Sequence, residues 1–169
     1  MRYDLYTARP GMTVVTYIPP IKKWIVVFER PIGNSSSHGA NYPVHYRLAD
    51  KPTEFDSAES IPIVIHDKKA PNASPYVVWS PAGGKYGTIV VSDADQSEIY
   101  TNTKGGDPDA WEMNASGQPP AYSRALHVFE KRPERLAVIG GATFDEGGPD
   151  YLSLSVLDVK EVLRNVVEP

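Results

Sequence analysis

The stretch Arg9–Pro31, RPGMTVVTYIPPIKKWIVVFERP, decides the fold. It holds two β-branched runs, Met12-Thr13-Val14-Val15 and Ile25-Val26-Val27-Phe28-Glu29, separated by a turn around Pro19-Pro20. That is the composition of a β-hairpin. An acid, Glu29, ends the second run where a buried strand would still take an apolar residue. In a lone hairpin such an acid is a strand-end charge, whereas in a repeated one it occupies a position in a pattern.

The hairpin does repeat. Pro75-Tyr76-Val77-Val78, a turn from Pro81 to Gly84, and Ile89-Val90-Val91-Ser92-Asp93 match the first copy at offsets of 63 (Val14 to Val77) and 64 (Ile25 to Ile89) residues. On this alignment Asp93 takes the place of Glu29. A third copy runs through Ala125 to Phe129, a turn at Arg132-Pro133-Glu134, and Leu136 to Gly141. A segment of period two follows each hairpin: Tyr42 to Leu48, Ser97 to Asn102, and Tyr151 to Leu157. Alternation of this kind marks a strand with one drier and one wetter face. Fourth strands are predicted at Ile61 to His66 and at Ala110 to Met113. The third copy has none, because from Asp158, a candidate N-cap, to Arg164 the spacing becomes helical.

Units of up to four strands, apolar inside and polar outside, are the blades of a β-propeller. The chain therefore reads as all-β, a single partial propeller domain over 1–169 with blades at about 9–66, 74–118 and 123–158. Tyr3 to Thr7 is a candidate outer strand for the third blade. Propellers have about four to eight blades, so three leave apolar faces open. Two completions are expected: a homodimer about a two-fold axis or a missing N-terminal half. A β-sandwich of similar strands is the competing architecture.

Sixteen prolines and thirteen glycines break the chain into short segments and oppose long helices. A net charge of -4 with interspersed signs leaves no basic stripe for nucleic acid and no polybasic patch for a membrane surface. Without cysteine there is neither a disulfide framework nor a thiolate metal site. Three N-x-Ser sequons, at Asn34, Asn72 and Asn114, stand in turn-like surroundings and predict a secreted parent, although Met1-Arg2-Tyr3-Asp4 lacks the apolar core of a signal peptide.

Taken in order, RPGMTVVTYIPPIKKWIVVFE, NYPVHYRLAD, ASPYVVWSP, IVVSDADQSEIYTN, GGDPDAWE and YSRALHVFEKRPERLAVIGG resemble the C-terminal half of fungal sialidase-like six-bladed propellers. The resemblance is to glycoside hydrolase family 93, the exo-acting arabinanases, and runs from about Arg9 to Leu163. SDADQSEIY is similar to an Asp-box, with the Ser92 to Asp95 spacing one residue too long. The resemblance implies a retaining glycosidase acting on plant cell-wall polysaccharide such as arabinan. In that chemistry one carboxylate protonates the leaving oxygen while another attacks the anomeric carbon from about 5–5.5 Å away. Glu29 is expected to be one of the pair. The other family glutamate falls upstream of this chain.

Asp93 is a second candidate acid, or an acceptor for sugar hydroxyls. Arg9 and Arg124 stand just before the first strands of blades one and three, where a guanidinium fork can grip hydroxyls or a carboxylate. Tyr42, Tyr76 and Tyr122, at blade entries, offer rings for sugar stacking. Trp24, Trp79 and Trp111 read as blade packing. His38, His45, His66 and His127 show no ligand spacing, and His127, inside an apolar run, reads as a core residue. The acidic loop Asp145 to Asp150 lacks the ordered spacing of a calcium loop. No metal and no cofactor is expected. Besides a glycosidase, the same lining would serve a catalytically silent carbohydrate-binding propeller or a non-hydrolytic small-molecule enzyme reusing the channel.

Overall fold

Val14–Ile18 (β1) and Lys23–Glu29 (β2) pair antiparallel around a 3-10 turn at Pro19–Ile21. Proline rings preset φ at the head of that turn, and Lys22 closes it in the left-handed region at φ 53°. β2 then pairs with Val44–Ala49 (β3), which pairs with the two-residue Ile61–Pro62 (β4). The second sheet runs Tyr76–Ser80 (β5), Thr88–Ser92 (β6), Glu98–Asn102 (β7) and Trp111–Ala115 (β8) in sequence order. The third is Ser123–Phe129 (β9), Arg132–Ala142 (β10) and Tyr151–Asp158 (β11), followed by the helix Val159–Arg164 (α1). This computed structural model describes residues 14–30, 43–65, 71, 75–92, 98–115, 123–142 and 151–164. The three antiparallel sheets are the three expected blades. Asp158 accepts the Lys160 N–H at 2.8 Å and caps α1, as the sequence predicts.

The fourth strand of blade one is shorter than the expected Ile61 to His66. Pro62 has no N–H for the ladder, and beyond it Ile63 and Ile65 turn into the core, with the Ile63 N–H bonded to the Val44 carbonyl. The candidate outer strand at Tyr3 to Thr7 lies outside the described residues, among which blade three has three strands.

Alternate residues of the middle blade enter two different apolar layers. Val77, Ile89, Val91, Tyr100 and Trp111 meet Ile25, Val27, Val44 and Tyr46 of blade one. Val90 and Ile99 meet Leu126, Leu136 and Val138 of blade three, with Val159 and Val162 of α1 closing the bottom. Because both faces are buried, β6 reads TIVVS without polar alternation.

This assignment corrects the repeat alignment. At an offset of 64, Ile25 faces forward to blade two while Ile89 faces back to blade one, and Val14 and Val77 are opposed in the same way. The alignment keeps the hairpin register, Val14↔Val27 against Val77↔Val91, but turns both strands over. By face, the β6 residue answering Glu29 is Ser92, one short of Asp93.

Buried hydrogen bonds lock the blades along one rim. The Tyr46 hydroxyl donates to the Gly106 carbonyl at 2.7 Å, joining blade one to blade two. Burial pushes this phenol above its usual pKa and keeps it protonated. Gly106 is itself held by Asn102, whose side-chain oxygen accepts the N–H groups of Lys104 (3.0 Å) and Gly106 (2.9 Å). Gly106 has φ +91° and a Cβ there would meet Leu48 at 3.0 Å, so the turn admits only glycine. The Ser80 hydroxyl donates to the Pro133 carbonyl at 2.6 Å, joining blade two to blade three. Removing the Tyr46 hydroxyl leaves a buried carbonyl without its partner. Tyr46→Phe is therefore expected to cost about 1–2 kcal/mol in urea unfolding at neutral pH, with the native strand signal unchanged.

Candidate functional site at the upper rim

Strand direction gives the blades two unlike rims. The lower rim carries the described turns, at 19–22, 50–60, 81–87, 103–110 and 130–131. At the upper rim β2 ends at Glu29, β6 at Ser92, β8 at Ala115 and β10 at Ala142, while β3, β5 and β9 begin there at Val44, Tyr76 and Ser123. β1 lies beside β5, and β5 beside β9, so these are the innermost strands of the three blades.

Glu29 is the last residue of β2 and is 6% exposed. Strand parity places it on the face of Ile25 and Val27, turned toward blade two. Its backbone pairs with Val44, and the ladder continues one step further through the Arg30 N–H to the Pro43 carbonyl at 2.9 Å. Val44 is held in turn by the Pro71 carbonyl on its other side (3.3 Å). A carboxylate so enclosed, on a backbone fixed from both flanks, is not a solvated strand-end charge. Acids are almost never fully buried unless a partner or a task holds them there.

Tyr76 opens β5 opposite Ser92 and packs, half-buried, against the apolar layer between blades two and three. Its ring is thus part of the core edge at the upper rim. Ser92 is fully buried there, and its hydroxyl finds no hydrogen-bond partner among the described residues. Sequence reading passed over Ser92 because a serine beside Asp93 and Asp95 reads as turn composition. Arg124 lies in β9 with its backbone opposite Gly140, one residue from the upper end. Arg9, Tyr42, Asp93 and Tyr122 lie outside the described residues, as do His38, His66, the Asp-box-like turn and the 145–150 loop. Of the described candidates, Glu29 and Tyr76 lie at the upper strand ends of blades one and two, and the backbone of Arg124 one residue from that of blade three.

The tryptophans pack, as expected. Trp111 is 5% exposed and meets Tyr46 edge-on at 5.5 Å, and the Trp79 indole donates to the Tyr86 carbonyl at 2.9 Å. Trp24 lies against Tyr17 at 5.2 Å. Two expectations are overturned. His127 is exposed, because parity turns it to the face of blade three away from blade two, where it meets Phe129 edge-on. Asn114 does not stand in a turn: it lies in β8 with no exposed surface, donating to the Thr101 hydroxyl at 2.7 Å, so its sequon cannot carry a glycan in the folded chain. Asn34 and Asn72 lie outside the described residues. Among the described residues no cluster of metal-ligating side chains occurs.

His45, one residue into β3, sits on the outer face of blade one, with the Ser60 hydroxyl 3.1 Å from Nδ1. Burial lowers its pKa, and the Arg30 and Arg47 cations lower it further. The unfolded chain then takes up the proton more readily than the folded one, so this residue removes stability as pH falls through the ordinary histidine range near 6.5. Thermal unfolding at about pH 7 and pH 5 is expected to show a larger drop in midpoint for the wild type than for His45→Gln. Equal drops would show that folding leaves the His45 pKa unchanged.

No family model and no curated protein matches the sequence. Solved structures do. An α-L-arabinofuranosidase of glycoside hydrolase family 93 from Fusarium graminearum, in complex with arabinobiose, is 41% identical with a TM-score of 0.83. A mutant of the Fusarium graminearum α-L-arabinofuranosidase bound to an iminosugar inhibitor matches with the same values. An α-L-arabinanase from Penicillium chrysogenum, complexed with arabinobiose, is 34% identical with a TM-score of 0.79. Each match covers 96% of this chain and only 45–46% of the other, so the chain spans about half the length of these enzymes.

Proposed function

The chain matches the C-terminal half of the glycoside hydrolase family 93 propeller, and on that premise we propose that it is part of an extracellular retaining glycosidase for arabinan-like polysaccharide in which Glu29 is one catalytic carboxylate. The observation that carries this reading is the enclosed Glu29 at the upper rim, 6% exposed and turned inward between blades one and two. The lower rim is committed to bonds that hold the blades together, so substrate recognition is assigned to the upper one. There Tyr76 supplies a ring edge, and Arg9, Arg124, Tyr42, Tyr122 and Asp93 complete the proposed sugar contacts.

Retaining hydrolysis needs a second carboxylate about 5–5.5 Å from the first. It is assigned to blades beyond these three, brought by a second copy or by an N-terminal half. Glu29 then either protonates the leaving oxygen or attacks the anomeric carbon, and either role fails when the carboxylate becomes an amide.

Linear arabinan and aryl arabinofuranosides, incubated with the assembled protein, test this directly. Hydrolysis is expected to fall by about 10²–10⁴-fold in Glu29→Gln with sugar binding retained. Equal turnover by both proteins would remove Glu29 from the mechanism. Sugar binding by both without turnover would instead favour a carbohydrate-binding propeller that has lost its chemistry.

A further inference from the structure

Two arginines on the outer face of blade one stand without an anion. Val26 and Phe28 of β2 point to that face and Arg30 follows in step, while the register with β3 sets His45 opposite Phe28 and Arg47 opposite Val26. The loop 50–60 folds Phe55 back onto this face, where it packs with Val26, Phe28 and Ala49. Arg47 Nη1 holds the loop there by donating to the carbonyls of Phe55 (2.7 Å) and Asp56 (3.4 Å), and the guanidinium lies 5.4 Å from the centre of the Phe28 ring.

The other edge of that guanidinium is unspent. Arg47 Nε is buried and finds no hydrogen-bond partner among the described residues. Arg30, exposed at the upper end of the same face, makes no ion pair among them either: Asp50 is held by Lys23 and Glu54 by Lys51, and Asp56 and Glu59 pair with neither arginine. His45 lies between the two. Burial lowers its pKa first, and both cations lower it further, so the three groups share one electrostatic environment. An N–H of a charged group left unpaired out of water is costly, and like charges gathered on a half-buried face repel. An anion removes both penalties, and the Nε edge of a guanidinium matches two oxygens of an oxoanion.

We propose that Arg30 and Arg47, with His45 between them, form a binding site for one small oxoanion on the outer face of blade one. One oxygen takes the buried Nε–H of Arg47, and Arg30 closes the site toward solvent. A free inorganic oxoanion and the carboxylate of an acidic sugar share this chemistry. Alternation along β2 turns Glu29 inward and Arg30 outward, so the site is separate from the proposed catalytic one and either can fail alone.

The Arg47 Nε–H resonance in proton–nitrogen correlation spectra, assigned by its loss in Arg47→Gln, reports on the site directly. Acetate or sulfate added to the purified chain, with chloride exchanged to hold ionic strength, is expected to move that resonance saturably and to raise the unfolding midpoint. Arg30→Gln, a change at an exposed side chain, is expected to keep the fold and weaken binding by about 3–5-fold. Lys51→Gln, on the adjoining loop, is expected to leave binding unchanged. Glucuronate bound more tightly than acetate assigns the site to an acidic sugar, and equal binding assigns it to a free oxoanion. A shift no larger than chloride alone produces, or one that never saturates, would overturn the proposal. So would Arg30→Gln binding as the wild type does, or Lys51→Gln weakening binding equally.

Discussion

The fold depends on the burial of both faces of the middle blade. Ile89, Val90 and Val91 point by turns into the layer shared with blade one and the layer shared with blade three. At roughly 25 cal/mol per Å² of apolar surface removed from water, stacked layers of valine, isoleucine and leucine dominate the energetics of such an arc. They fix distance and orientation, because a one-residue slip in any strand would send its whole apolar set to the wrong layer. The polar bonds from Tyr46 to Gly106 and from Ser80 to Pro133 then set each blade's height against the next.

On the proposed reading, that arrangement separates structural work from chemistry. Among the described residues, the lower rim holds tight turns, left-handed glycines and inter-blade bonds. At the upper rim the sheets end in polar residues that add little to packing: Glu29 and Ser92, both buried, and Asn114 just below. An enclosed acid is costly to keep in a strand end. The backbone that carries Glu29 is fixed by its pairing with Val44 and by the bonds from Arg30 to Pro43 and from Val44 to Pro71.

Much of this was legible in the sequence. Paired β-branched runs bounded by proline gave the hairpins, their recurrence gave the blades, and Asp158 marked the start of α1. The facing of the strands was not legible, because strands buried on both sides lose the period-two signal that reveals parity. The alignment of Glu29 with Asp93 failed for that reason, and so did the reading of His127, whose apolar neighbours suggested a core that the chain does not itself supply. Asn114 was misplaced because Asn-Ala-Ser has turn composition, while the ladder to β7 and the bond to Thr101 hold Asn114 in strand. For the candidate site, the sequence identified Glu29 as a position of interest; its burial and its inward facing came only from packing.

The central claim is that sugar is held at the upper rim against Glu29. A crystal structure of the protein soaked with arabinobiose measures this most directly. The account predicts a furanose ring at that rim, with an oxygen or its anomeric carbon within about 3.5 Å of the Glu29 carboxylate, the reach of a reacting group. Sugar density confined to the lower rim, or to the outer faces of the blades away from Glu29, would contradict it.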